Sequence, residues 1–257
     1  MEIPIAAILQ TISDLLMPFV RIAAAVMVMP VLSGSFTPAR VKILLALGLT
    51  LVIAPVLPPA SQVSLLSFEG VLAVMREVLI GLAIGFVIQL VFDAIALGGQ
   101  VISMTMGLGF AVFIDRQNGV NIPVLGQFFM MLGMLIFLSL DGHLAVIELL
   151  ADSFQLLPLM GSGLSQNAIG GLLEWSSQMF VVAIRIALPA ITAMLIVNLS
   201  FGVMSRAAPT LNLFAIGFPV AMLLGFVVIF LSMDNLRESV SLSLAEAIAY
   251  VPEMLRN

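Results

Sequence analysis

Long apolar runs separated by short polar breaks make up most of the chain. Six runs have about the 20 residues that a membrane-spanning helix needs. They cover residues 12–32, 41–57, 71–97, 122–140, 177–204 and 211–233. A short turn at 33–40 and two loops rich in Gly, Pro and Ser, at 58–69 and 161–171, lie between some of them. We therefore predict an all-α, polytopic chain with six helical spans.

Polar side chains interrupt several of these runs. They are Asp14, Arg21, Gln89, Asp93, Arg185 and Asn198. A charge at mid-bilayer costs about 3 kcal/mol or more, so we expect these helix faces to contact protein rather than lipid. Asp14 and Arg21 lie two helical turns apart on one face, with Pro18 between them. A structural ion pair, a contact between subunits and a transport role are the alternatives for that pair.

A stripe of small and polar residues lies within the third run. Gly81, Gly85, Gln89 and Asp93 are spaced four residues apart, so they share one helix face. Small residues let helices approach closely, and Gln or Asp can form a hydrogen bond across the contact. The stripe predicts either packing inside the subunit or packing against another subunit.

The last segment, 234–257, has a different pattern. Its apolar residues recur at helical spacing among charged ones. They are Leu236, Val240, Leu244, Ile248 and Val251. We predict an amphipathic helix that lies on a partner or on the membrane surface.

Composition agrees with a membrane protein. Hydrophobic residues make up 62% of the 257 residues and charged residues only 9%, and the mean hydropathy is +1.25. The net charge of −5, with a single lysine, offers no basic face for nucleic acid, so we expect protein and lipid as partners. Arg40, Lys42, Arg116 and Arg206 fall on one side of alternating spans, which places both termini outside the cytoplasm.

Catalytic chemistry has few residues to use. The chain has no cysteine, and its one histidine, His143, follows Asp141 and Gly142, which suggests a turn and a helix cap. No metal-ligand spacing, phosphate-binding loop or nucleophile with a base can be assembled, so we expect no enzyme, metal or cofactor. An ion-coupled small-solute transporter is the alternative, because Pro189 and Pro219 interrupt the last two spans.

Two stretches of the chain resemble one known family. Residues 198–220 join two long helices through a turn with the series Gly202, Arg206, Pro209, Leu211 and Asn212. Residues 21–47, "RIAAAVMVMPVLSGSFTPARVKILLAL", have an early Arg and a Pro-x-Arg turn. Both are similar to the FliR family of flagellar export proteins and its type III secretion counterparts, nearer the flagellar branch.

The resemblance implies a core subunit of the flagellar type III protein-export gate in the bacterial inner membrane, within the basal body and largely towards the periplasm. Residues 1–178 would be similar to P-type subunits, 179–233 would form a Q-like hairpin, and 234–257 would be the tail. It implies FliP, FliQ, FlhB-type, FlhA-type and unfolded flagellar proteins as partners. The polar residues named above, with Arg206, Pro209 and Asn212, would be structural or face neighbouring subunits.

The family also has a lumenal plug loop, which matches residues 106–119 here. The matching stretch "GLGFAVFIDRQNG" brackets two phenylalanines with glycines. On the resemblance, Phe110 and Phe113 would seal the lumen, while the glycines would let the loop hinge. The implied plug residues are Met104, Met106, Gly107, Gly109, Phe110, Phe113, Asp115, Arg116 and Gly119. The residues alone also allow an ordinary cytoplasmic turn packed inside the subunit.

Overall fold

The computed structural model describes residues 5–30, 37–57, 67–108, 124–159, 161, 163–207 and 213–256, with side chains from 14 and 217 in the first and last ranges. The helices are α1 (Ile5–Val28), α2 (Ala39–Ile53), α3 (Phe68–Thr105), α4 (Val124–Ser139), α5 (Gly142–Leu156), α6 (Gln166–Ser176), α7 (Gln178–Ala207), α8 (Leu213–Leu231) and α9 (Met233–Arg256). A short 3₁₀ turn, Ala54–Val56, follows α2. These described residues contain no strand, so the all-α prediction is confirmed.

Two compact units divide the chain. Unit 1 comprises Met1–Leu90, Asp141–Ser176 and Leu244–Asn257, and unit 2 comprises Val91–Leu140 and Ser177–Ser243. Helices α3 and α9 each contribute residues to both units. The units do not follow the predicted division at residue 178, which stays a prediction.

Helix α3 is the longest element, and its start and end have local causes. The Ser67 hydroxyl accepts a hydrogen bond from the Gly70 backbone N–H at 3.1 Å, which caps the first turn. Glu69 adds a negative charge near the positive end of the helix dipole. With 38 residues and no internal proline, α3 is about 57 Å long, well beyond the predicted run 71–97.

The described helices account for three to five of the six predicted spans. Three helical stretches are long and apolar enough to cross a membrane. They are Ala39–Val56, Phe68–Thr105 and Gln166–Ala207, the last of which comprises α6 and α7. The count rises to five if two bent pairs each form one span, α4 with α5 (72°) and residues 217–231 with α9 (54°). Pro18, Asp14 and Arg21 lie inside α1, which covers most of the first predicted run, 12–32.

Two segments after the fourth apolar run differ from the prediction. The predicted loop 161–171 becomes helical at Gln166, because the Ser165 hydroxyl accepts a hydrogen bond from the Ala168 backbone N–H at 3.0 Å. Asp141 adopts the left-handed conformation, with φ of 54°, so the predicted turn is present. Its side chain makes no capping hydrogen bond to α5.

The C-terminal segment is helical as predicted, but its apolar face is covered by its own chain. Leu236, Val240, Leu244 and Val251 are all buried. In unit 1, the Tyr250 ring of α9 stacks on the Trp175 ring of α6, with centroids 5.1 Å apart and planes 15° apart. The prediction that this face rests on a partner or on the membrane surface is therefore wrong.

Candidate functional site

The first candidate site is a buried ion pair in unit 1. The Arg21 Nε of α1 donates a hydrogen bond to the Glu77 Oε2 of α3 at 2.6 Å. Both residues are buried, Arg21 at 0% and Glu77 at 1% exposure. Charges in such a site are stable only when paired and hydrogen-bonded. The pair therefore holds α1 and α3 together at one defined position.

A third helix, α5, completes the coordination of Arg21. The Arg21 Nη1 donates hydrogen bonds to the Ser153 carbonyl oxygen at 2.9 Å and to Ser153 Oγ at 3.3 Å. Its Nη2 donates to the Leu157 carbonyl oxygen at 2.9 Å. These carbonyls lie at the C-terminal end of α5, where a cation also stabilises the helix dipole. The guanidinium lies 4.3 Å from the centre of the Phe154 ring. We call this set the Arg21 joint.

Glycines of the predicted stripe bring α3 against α1 beside this joint. A Cβ at Gly81 would overlap the Arg21 carbonyl oxygen, and one at Gly85 would lie 2.7 Å from the Ala25 carbonyl oxygen. Packing inside the subunit is therefore the observed role for this end of the stripe. Continued one step back, the same four-residue spacing reaches Glu77, so it places this carboxylate on the stripe, although it does not identify Arg21 as the partner.

The second candidate site is the C-terminal end of α3 in unit 2, where the predicted plug loop begins. The Leu108 N–H donates to the Ser103 carbonyl at 3.1 Å, and the Gly107 N–H donates to the Met104 carbonyl at 3.1 Å. Gly107 has φ of 81°. This is a Schellman helix stop, in which glycine takes the left-handed position. Gly107 therefore ends α3 at a defined residue.

Met106 and Met104 differ sharply in their surroundings, although both adjoin the predicted loop. Met106 is 1% exposed, whereas Met104 is 61% exposed. A Cβ at Gly225 of α8 would lie 2.5 Å from Cγ and Cε of Met106 and 2.8 Å from its Sδ. The absent side chain of Gly225 thus makes the space that Met106 fills. Met106 is a packing residue on the described side of the loop, and Met104 is the accessible one.

Two adjacent glycines fix α3 between its neighbours just before this end. A Cβ at Gly99 would lie 2.8 Å from the Leu125 carbonyl oxygen of α4. A Cβ at Gly98 would lie 3.1 Å from the Ala183 carbonyl oxygen of α7. The helices on either side of 109–123 are therefore in direct contact. We call the Gly98, Gly99, Met106, Gly107 and Gly225 contacts the loop frame; the sequence interpretation singled out only Met106 and Gly107.

The comparisons with known proteins agree over most of the chain. Residues 12–247 match the model of the family described as bacterial export proteins, family 1. The chain belongs to this family. Its similarity to the flagellar biosynthetic protein FliR of Escherichia coli (strain K12) is 41% identity, over 81% of this chain and 79% of that protein.

Other relatives carry the same name. FliR of Pectobacterium carotovorum subsp. carotovorum is 39% identical over 83% of this chain and 82% of that protein. FliR of Bacillus subtilis (strain 168) is 26% identical over 85% of each. Together with the apolar helices, these matches confirm the predicted family, the flagellar export class and the membrane location.

The other polar residues named in the sequence analysis lie on α7 and α3 where the structure describes them. Arg185, Asn198 and Arg206 lie on α7 and are exposed, while Gln89 and Asp93 lie on α3 and are partly buried. Other predicted positions lie outside the described residues: Gly109, Phe110, Phe113, Asp115, Arg116, Gly119, Pro209 and Asn212. Among the described residues, no group of three or more His, Asp or Glu side chains could hold a metal ion. Asp14 has an interaction within the chain, but the ion pair of Arg21 is with Glu77.

Proposed function

We propose that the chain is a core subunit of the flagellar type III protein-export gate and forms part of its pore wall. The observation that carries this proposal is the family match over residues 12–247, together with 41% identity to a protein named flagellar biosynthetic protein FliR. A small-solute transporter is not favoured, because the relatives are named for flagellar biosynthesis.

We infer that the subunit assembles with P-type and Q-type gate subunits, FliP and FliQ, and works with FlhA-type and FlhB-type proteins. The proposed site is the inner membrane at the flagellar basal body, with part of the assembly on the periplasmic side. Unfolded flagellar proteins would be the cargo. The subunit would supply wall and seal, and no catalytic step.

The exposed face of α7 supports a protein partner in unit 2. Large apolar side chains are exposed there, including Ile196 at 67% and Leu199 at 71%. Arg185 and Asn198 are exposed on the same helix. Cationic and amide groups on an apolar helix are costly in lipid, but they can pair across a contact between helices. We therefore propose that α7 faces a neighbouring subunit.

The loop frame supports a plug formed by the segment that begins after α3. A seal must stay in register while unfolded chains pass, which requires fixed ends. The Schellman stop at Gly107 and the buried Met106 fix one end. The contact of Gly99 with Leu125 holds α4 beside it. We propose that Phe110 and Phe113 provide the apolar seal.

The test of this function is removal of the two phenylalanines in cells. Phe110→Ala with Phe113→Ala, and deletion of 109–113, are expected to raise ion leakage severalfold while the assembled complex keeps its normal amount. Phe68→Ala is the matched control, because Phe68 is 83% exposed at the other end of α3. Unchanged permeability with normal export would reject the seal. Failure to recover P-type and Q-type subunits with the tagged chain would reject the gate assignment.

A further inference from the structure

A long apolar groove lies in unit 1, and none of the described residues that line it belongs to the Arg21 joint or the loop frame. It has a volume of about 530 Å³ and is lined by α1, α3, α6 and the residues before α6. Leu79, Leu82 and Phe86 of α3 form one wall, and Ile169 and Leu172 of α6 form another. The three α3 side chains are 55%, 37% and 38% exposed. The groove is therefore open and apolar, so an occupant must supply hydrocarbon surface.

One cation is placed at the end of this groove. Arg76 is the single charged residue among the described residues that line it. Its Nη1 donates to the Gly161 carbonyl oxygen at 3.2 Å. Its stem packs over Gly163, where a Cβ would lie 3.2 Å from Arg76 Cγ, and where φ of 79° favours glycine. The backbone around Gly161 and Gly163 thus holds the Arg76 side chain in place.

Most of the N–H groups of Arg76 have no acceptor among the described residues. A guanidinium has five N–H donors, and the described residues accept from one nitrogen of Arg76, through Gly161. Within the described part of the chain, no carboxylate lies within ion-pair distance of it. Arg21 on α1, by contrast, is fully buried and has all its partners inside the chain. A planar donor group of this kind suits the oxygens of a phosphate.

The length of the groove matches one leaflet of a bilayer. Arg76 and Phe86 are ten residues apart on α3, which corresponds to about 15 Å along the helix axis. A bilayer hydrocarbon core is about 30 Å thick, so this length spans half of it. After Glu77, the next charged residue on α3 is Asp93. Helix α3 is also a candidate membrane span, and α6 belongs to another.

We propose that this groove binds one phospholipid molecule. Its phosphate accepts hydrogen bonds from Arg76, and an acyl chain lies along Leu79, Leu82 and Phe86 against α6. A lipid satisfies both halves of the groove, since it supplies an anion at one end and hydrocarbon over one leaflet depth. An apolar helix from another subunit would cover the walls but would supply no acceptor for the Arg76 N–H groups that Gly161 does not accept from.

The experiment is native mass spectrometry of the complex, purified in mild detergent from cells and supplied with phosphatidylglycerol and phosphatidylethanolamine. The wild-type complex is expected to retain one more phospholipid than Arg76→Gln. Occupancy should fall roughly tenfold, the ratio that corresponds to a loss of about 1.4 kcal/mol. Arg237→Gln is the matched control, because Arg237 is an exposed arginine on α9 that does not line the groove. It should retain the wild-type occupancy.

A second variant keeps the cation and fills the groove. Leu82→Trp leaves Arg76 unchanged, so its loss of lipid would follow from the loss of space alone. Equal lipid counts in wild type, Arg76→Gln and Leu82→Trp would overturn the proposal. So would a photoreactive amino acid at position 82 that cross-links to another subunit and not to lipid. Recovery of the P-type and Q-type subunits is measured in the same samples, so a failed lipid site is distinguished from a failed gate assignment.

Discussion

The Arg21 joint in unit 1 and the loop frame in unit 2 hold helices together by different means. In the joint, a buried arginine with 0% exposure satisfies its donors on a carboxylate, two carbonyls and a hydroxyl. In the frame, glycines remove side chains so that backbones and a buried methionine come into contact. The joint is specified by charge and hydrogen bonding, and the frame by shape.

This difference explains why polar residues in apolar helices have no single meaning. Arg21 and Arg185 both lie within predicted spans, but Arg21 is fully buried and Arg185 is exposed. A buried charge must be paired inside the chain because its desolvation is costly. An exposed one requires water, lipid headgroups or another protein. The position of each cation therefore separates internal structure from surfaces available to partners.

The largest expected effect comes from breaking the joint. Arg21→Met leaves the Glu77 carboxylate buried without its cation, and we expect about 3–5 kcal/mol of destabilisation. The measurement is thermal unfolding of the detergent-solubilised chain, followed by the fluorescence of Trp175, its only tryptophan. The amount of chain recovered from membranes should fall in parallel.

The paired substitution tests whether charge is the cause. Arg21→Met with Glu77→Leu removes both ions, so it should be more stable than Arg21→Met alone. Arg185→Gln is the control for an exposed arginine and should leave the unfolding temperature of the isolated chain nearly unchanged. Equal stability of Arg21→Met and wild type would show that the joint does not hold unit 1 together.

A smaller effect is expected where glycines allow close contact, and here both units can be compared directly. Gly81→Ala directs its new Cβ at the Arg21 carbonyl, and Gly99→Ala directs it at the Leu125 carbonyl. Backbone atoms yield little, so each change should cost about 1–3 kcal/mol. Gly48→Ala is the control, since nothing lies within 4 Å of its Cβ position. Tolerance of Gly99→Ala at wild-type stability would remove Gly99 from the frame.

The fold class and the packing stripe could be predicted from local pattern. Four-residue spacing places Gly81 and Gly85 on one face of α3, and that face does pack on α1. The partner of Arg21 could not be predicted as readily, because Glu77 lies 56 residues away along the chain. Asp14 lies two helical turns from Arg21, so local spacing suggests Asp14 as its ion-pair partner. Long-range pairing depends on which helices meet, and spacing within one helix does not supply that.

At the second candidate site, too, spacing within one helix does not reveal which helices meet. The resemblance implies that the glycines let the loop hinge and that Met106 and Gly107 belong to the plug, and these roles stay predictions. In the structure, Gly107 completes a helix stop and Met106 is buried. The space for Met106 comes from Gly225, which is distant in sequence. A glycine in an apolar helix gives no indication of which side chain it accommodates.

The smallest expected effect, at the Met106 contact, tests the frame most directly. Gly225→Ala brings a Cβ to within 2.5 Å of Met106, so the flexible thioether must take another rotamer at a cost of about 1 kcal/mol. Gly225→Ala with Met106→Ala removes the overlap, so the double variant should cost less than the sum of the single variants. Gly202→Ala, which has nothing within 4 Å of its Cβ position, is the control. Thermal unfolding of the four variants and wild type gives the coupling energy. Strict additivity would mean that Met106 and Gly225 do not depend on each other, whereas the expected coupling would show that α8 holds the end of α3 by shape alone, without any charge.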